Sequence, residues 1–149
     1  MRAAVQRVHE ASVTVDGQVV GSVGQGLLVY AGVAADDAEA DVQYTAEKIA
    51  GLRIFQDAEG KMNCSVTDVG GAVLVISAFT LQADARKGRR PSFDAAAGPD
   101  LALTLYERLC EALSAMGLTI ARGVFRAHME VASVNDGPIC VLLDSKRLF

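Results

Sequence analysis

The sequence predicts an α+β fold, and three observations carry that reading. Several short segments alternate apolar and polar residues or run continuously apolar, as strands do. Only two segments place apolar residues at helical spacing. The two kinds do not alternate strictly, so a wholly parallel βαβ architecture is not indicated. With 149 residues, 51% of them hydrophobic, the chain suits one domain, 1–149, with its own core.

Taken in order, Ala3 to Val8 is strand-like and Ala11 to Val15 alternates. Asp16-Gly17 then gives a two-residue turn before Gln18-Val19-Val20, a hairpin signal because both turn residues take positive φ. Leu27 to Val33 reads as a strand buried on both faces. Asp36-Asp37 suits the acidic first turn of a helix. Val42, Ala46, Ile49 and Leu52 recur at helical spacing, which predicts a helix from about 37 to 51. Arg53-Ile54-Phe55 is a short strand and Asp57 to Gly60 a turn.

Ala72 to Ser77 is a β-branched, apolar strand that delivers Ser77-Ala78-Phe79-Thr80 at its end. Gln82 to Phe93 is polar, basic and loop-like. Gly98-Pro99-Asp100 opens a second helix, with an apolar stripe of Leu101, Leu105, Leu109, Leu113 and Met116, and Gly117 ends it. Leu118 to Ala121 and Met129 to Val134 are further strands, and Ile139 to Leu143 is a short apolar run. Between the last two lies Asn135-Asp136-Gly137-Pro138, which on local chemistry alone is a hairpin turn. Gly137 also lets a ligand or another backbone approach closely, and an X-Pro bond can be cis.

Bulk properties narrow the function. No apolar run approaches the roughly 20 residues of a membrane-spanning helix. Gln6 and Arg7 interrupt any signal-peptide core at once, so a cytoplasmic location is expected, with no membrane partner. The formal net charge of −4 argues against general nucleic-acid affinity, so any RNA contact must be local. Cys64, Cys110 and Cys140 are widely spaced, which supports neither a disulfide framework nor a metal site and suggests buried free thiols. No phosphate-binding or dinucleotide-binding glycine motif occurs.

Ser77 and Thr80 are the hydroxyl candidates for attack, but a hydroxyl needs a base within reach. The only histidines, His9 and His128, sit in no recognisable triad motif, though such partners can be distant in sequence. Cys140 with His128 is the thiol counterpart, and it is disfavoured because a cysteine inside an apolar strand is usually buried and inert. Arg86-Lys87-Gly88-Arg89-Arg90 holds four of the 14 Lys and Arg residues, either as a solvated loop or as a phosphate contact. Phe79 is either a core residue or a face for adenine stacking.

Together, Ser77-Ala78-Phe79-Thr80 and Asn135-Asp136-Gly137-Pro138-Ile139-Cys140 resemble the Ser-Gln-Phe-Thr and Asn-x-Gly-Pro-x-Thr motifs of the D-aminoacyl-tRNA deacylases. The likeness runs from Met1-Arg2-Ala3-Ala4-Val5-Gln6-Arg7-Val8 to Leu142-Leu143-Asp144-Ser145 and includes Gly60-Lys61-Met62-Asn63 and the run from Arg86 to Phe93. Two positions depart: Ala78 stands where the family has Gln, and Cys140 where it has Thr.

The resemblance implies a curved, barrel-like antiparallel sheet with two packed helices. It implies hydrolysis of the ester joining a D-amino acid to the 3′-terminal adenosine of tRNA, and removal of glycine mischarged on the tRNA for alanine. Amides near Phe79 and Thr80 would stabilise the oxyanion. A cis Gly137-Pro138 pair, inserted from the partner of a homodimer and supported by Arg7, would reject L-amino acids. Arg86, Lys87, Arg89 and Arg90 are the expected tRNA contacts. No cofactor or metal is expected. A non-catalytic RNA-binding module on the same fold is the competing reading, favoured by Ala78, and a conventional small-molecule esterase is a third.

Overall fold

The computed structural model describes residues 1–149. The chain opens with β1 (Arg2–Val15), β2 (Gln18–Val23) and β3 (Gly26–Gly32), followed by helix α1 (Glu39–Gly51). A two-stranded ribbon, β4 (Phe55–Gln56) and β5 (Met62–Cys64), leads to β6 (Ala72–Ser77). A 3-10 turn (Phe79–Gln82), helix α2 (Pro99–Ala115), β7 (Thr119–Arg122) and β8 (Glu130–Asp144) complete the order.

Strand β1 organises the sheet. Its first half pairs with β3, its second half with β2, and its other edge with β8, all antiparallel. The β3–β6 and β6–β7 pairs are parallel, so the sheet is mixed rather than wholly antiparallel. The connections explain this: α1 lies between β3 and β6, and α2 between β6 and β7, and parallel neighbours need such crossovers. The path β2-β1-β3-β6-β7 curls until its ends nearly meet. A Cβ on Gly21 of β2 would stand 2.6 Å from the Arg122 carbonyl oxygen of β7, so only glycine fits this close approach.

Two apolar clusters follow from the strand period. Leu27, Val29, Val73 and Val75 face the helices, where Val42, Ala46, Ile49, Leu105, Leu109 and Leu113 meet them. Leu28, Leu74 and Ile76 point the other way, into the curl of the sheet with Val8, Val13 and Val23. β3 is therefore buried on both faces, as its unbroken apolar run predicts. The Asp16-Gly17 turn has φ of 49° and 77°, as its sequence requires.

Some boundaries differ from the sequence reading. Helix α1 starts at Glu39, two residues after the expected position, because Asp37 is used elsewhere. The buried Asp37 carboxylate accepts from the Met1 ammonium at 2.5 Å and from the Ala34 N–H at 2.7 Å. Glu39 and Asp41 supply the acidic first turn, and Asp41 accepts from the Ala38 N–H at 2.8 Å. Helix α2 begins at Pro99, and Gly117 takes φ 86° beyond its end. Leu101 and Met116, assigned to its apolar stripe, are exposed, and the buried residues of the helix run only from Ala102 to Leu113. β4 begins only at Phe55.

The largest difference lies in β8. A hairpin at Gly137-Pro138 would pair 129–134 with 139–143. Instead both halves pair with β1: Glu130 to Asn135 oppose Thr14 to Val8, and Cys140 to Asp144 oppose Gln6 to Arg2. The four residues 136–139 pair with nothing on β1 and stand opposite Arg7 alone. They form a bulge-like excursion from a continuous strand, which is a position where a strand tolerates proline.

Candidate active site

Ser77 closes β6, opposite Ala31 of β3. The Ala78 N–H donates to the Ala31 carbonyl at 2.8 Å, and the chain then winds into the 3-10 turn. Leu81 N–H donates to the Ala78 carbonyl at 3.1 Å, and Ala83 N–H to that of Thr80 at 3.1 Å. The leading N–H groups of such a turn, those of Phe79 and Thr80, have no partner within it, and no side chain caps them.

Two residues press this turn against β3. The buried Gln82 side chain donates through Nε2 to the Gly32 carbonyl at 2.7 Å. A Cβ on Gly32 would lie 2.7 Å from the Ala78 carbonyl oxygen and 2.9 Å from Leu81 Cβ, so only glycine lets the turn sit so close. By sequence alone Gln82 starts a polar loop. It is buried because its amide satisfies a backbone acceptor left over at the end of β3.

Ser77, Ala78, Phe79 and Thr80 all line one open pocket of about 690 Å³. Its size and mostly apolar walls suit a small organic group held by a few polar atoms. Pro99 and Ala102 of α2 contribute to the walls, as does the segment 125–129 between β7 and β8. Tyr30 also lines it, and burial raises its phenol pKa, so the hydroxyl stays protonated near neutrality. Phe79 is 55% exposed and meets Phe93 edge-on, with ring centroids 5.1 Å apart. Phe79 is thus not a core residue.

Sequence alone singles out only His128 and Met129 in this stretch, one as a possible base and the other as the start of a strand, yet Phe125, Arg126, His128 and Met129 all line the pocket. Arg126 adopts a positive φ of 65°, which nothing in its residue type announces. His128 lies in the same pocket as Thr80, while Cys140 does not line it. Cys140 is exposed on β8 rather than buried, because it stands beside the excursion, so the thiol pairing with His128 has no structural basis.

Gly137 and Pro138 are joined by a cis peptide bond. Both are exposed, and neither lines the pocket of its own chain. Gly137 has φ 148°, and a Cβ there would fall 2.5 Å from the Ile139 nitrogen, so the position requires glycine. Arg7 is buried opposite the excursion. Its Nε donates to the Asp136 carbonyl at 3.1 Å and lies 3.1 Å from the Asp136 carboxylate. Its other arm donates to the Ile54 carbonyl at 2.5 Å. Within one chain, Arg7 therefore holds the peptide before Gly137 rather than the carbonyls of Gly137 and Pro138.

The basic run lies on an exposed loop closed by the Asp84–Ser92 bridge. Arg86 is tied back to Asp84 at 2.9 and 2.6 Å, and this pairing holds the Asp84 carboxyl well below the usual range. Lys87, Arg89 and Arg90 are exposed and make no ion pair within the chain. The loop ends at Phe93, whose contact with Phe79 places it beside the pocket mouth.

The model of the family described as D-Tyr-tRNA(Tyr) deacylase matches residues 4–144. A D-aminoacyl-tRNA deacylase of Anaeromyxobacter dehalogenans is 60% identical over 149 residues, covering 100% of both chains. Another, of Koribacter versatilis, is 59% identical over the same span. A solved structure described as c-Myc DNA Unwinding Element Binding Protein superposes with a TM-score of 0.92 at 37% identity, covering 97% of this chain and 98% of that one. A second, a probable eukaryotic D-amino acid tRNA deacylase, shares the fold with a TM-score of 0.81 at 17% identity.

Proposed function

The chain belongs to the D-Tyr-tRNA(Tyr) deacylase family, and from that premise we propose how it hydrolyses D-aminoacyl-tRNA to free D-amino acid and tRNA. It is a hydrolase acting on ester bonds. One observation carries the proposed mechanism. The Ser77–Thr80 turn lines an apolar pocket, while the exposed Gly137-Pro138 pair of the same chain does not. A second copy would bring that pair to the pocket, so the working unit would be a homodimer.

The terminal adenosine and its aminoacyl ester enter the pocket, and the ester carbonyl lies against the Phe79 and Thr80 amides. These stabilise the oxyanion that develops on attack, a contribution worth about 3 kcal/mol where a single such donor is removed. The ester is already activated, so positioning and charge stabilisation carry most of the rate. Attack is assisted either by the ribose 2′-hydroxyl or by Thr80, and a Thr80→Ala variant that keeps its rate would eliminate the second. No metal or cofactor enters this scheme.

Chirality is read by the backbone of Gly137 and Pro138. L and D residues differ by exchange of the side chain and hydrogen on Cα. A peptide wall has no rotamers, so it cannot move aside for an L side chain. Glycine has no side chain to reject, so glycine mischarged on the tRNA for alanine is a second substrate. Ala78 leaves activity in place, because the proposed oxyanion donors are backbone groups. Lys87, Arg89 and Arg90 contact tRNA phosphates beside the pocket, with Arg86 contributing less because Asp84 holds it. The chain acts as one domain in the cytoplasm, where its substrate is. No helix is long and apolar enough to cross a membrane.

Parallel incubation with D-Tyr-tRNA and L-Tyr-tRNA tests the reading. Selective release of D-tyrosine is expected. Binding without turnover would favour the non-catalytic RNA-binding module, and turnover of small esters without chiral preference would favour a general esterase.

A further inference from the structure

We propose that Asn135 is a positioning residue for the chiral wall: its carboxamide ties together the two ends of the excursion that carries Gly137 and Pro138. The inference rests on the stereochemical role proposed above for that pair.

Cys140 is the first residue after the excursion to regain a partner on β1, namely Gln6. Ile139, just before it, has no neighbour in the ladder. The Asn135 side chain takes that place. Its Nδ2 donates to the Ile139 carbonyl at 3.0 Å, and its Oδ1 accepts from the Ile139 N–H at 2.9 Å. A carboxamide presents a donor and an acceptor in one plane, as a peptide group does, so it substitutes for an adjacent strand. Aspartate offers acceptors only and would set a carboxylate against the Ile139 carbonyl. Alanine offers neither partner.

The other end is fixed from β1. Arg7 holds the Asp136 carbonyl and carboxylate, and His9 Nε2 lies 3.5 Å from the same carboxylate. His9 is 65% exposed, so its attraction adds little, and the buried Arg7 does most of the holding. Residues 136 and 139 are thus both tethered, and only Gly137 and Pro138 project between them.

Fold stability does not account for this arrangement. β8 is held to β1 by eleven registered pairs in all, six before the excursion and five after it, none of which passes through the Asn135 side chain. Removing the carboxamide would leave the strand in place and free the excursion to shift. A wall that discriminates mirror images must hold its position to a fraction of an ångström, and displacements of about 1 Å can change rates by about 10²-fold.

The test measures tyrosine release from D-Tyr-tRNA and L-Tyr-tRNA by the full chain and by its Asn135→Ala and Asn135→Asp variants. In Asn135→Ala the D/L rate ratio should fall by at least about tenfold, with L-tyrosine release rising above wild type. Asn135→Asp, which keeps one of the two hydrogen bonds, should fall between. A purely structural role lowers both rates together and leaves their ratio alone, and that result would overturn the inference. So would an unchanged ratio at full activity. If Asn135→Ala does not fold, the ratio measured for Asn135→Asp decides in the same way. Wild-type protein without D preference would instead overturn the proposed function itself.

Discussion

The turn after β6 and the excursion in β8 both interrupt a strand, yet they are held in different ways. The turn is fixed from within the fold: Gly32 admits it, the buried Gln82 fastens it, and the pocket it lines is built from the same chain. The excursion is fixed only at its two ends, by Arg7 and Asn135, and its tip is exposed away from the pocket of its own chain. In the proposed mechanism this difference separates two tasks: the turn, set by the core of one chain, stabilises charge, and the excursion of a second copy supplies the rigid wall that rejects an L side chain.

Each region can be perturbed separately. The largest effect is expected from Gly32→Ala, which places a methyl 2.7 Å from the Ala78 carbonyl oxygen. Displacing backbone there should cost about 1–3 kcal/mol of stability. It should also lower kcat/KM for D-Tyr-tRNA by about 10²-fold, because the turn moves relative to the pocket. Thermal unfolding alongside steady-state kinetics checks both. Gln82→Ala should be next, since it leaves the Gly32 carbonyl without its donor at about 1–3 kcal/mol. Its D/L ratio should stay close to wild type, in contrast to Asn135→Ala, because the wall is untouched.

A smaller effect is expected from neutralising Lys87, Arg89 and Arg90 together. KM for D-Tyr-tRNA should rise several-fold, and the dependence of KM on salt should flatten, while kcat changes little. A titration of KM against ionic strength reads this directly.

The smallest effect lies far from both regions. Burial pushes the Asp41 carboxyl up, but hydrogen bonds from Ser145, the Ala38 N–H and Lys146 outweigh it and lower the pKa from 3.8 to about 2. The folded value lies below the unfolded one, so the stabilisation is fully present above about pH 4 and is lost as pH falls through about 2. Asp41→Asn should remove that acid-dependent component, as denaturant unfolding at pH 6 and pH 3 would show.

Much of this was legible in the residues. β3 announced itself as doubly buried by its unbroken apolar run, β6 as a strand by its β-branched apolar residues, α2 by Pro99 and its Leu105-Leu109-Leu113 stripe, and the first turn by Asp16-Gly17. Ser77 to Thr80 were legible as a site because they follow a strong strand. What stayed hidden depends on pairing across the sequence. Local chemistry makes Gly137-Pro138 a hairpin, and only the register of both halves of β8 on β1 shows otherwise. Phe125, Arg126 and Met129 lie between strands with no motif, and only the curl of the sheet gives them a place in the pocket. Asp37 looked like a helix-start acid until the Met1 ammonium, distant along the chain, claimed it.

The central claim is that the pocket of one chain is completed by the Gly137-Pro138 pair of another. A crystal structure with a non-hydrolysable, amide-linked D-tyrosyl adenosine tests it most directly. The account predicts the ligand carbonyl within hydrogen-bond distance of the Phe79 and Thr80 amides, and the Gly137 and Pro138 backbone of a second copy packed against the ligand Cα. A bound ligand in a chain whose own and neighbouring Gly137-Pro138 pairs all face solvent would contradict it.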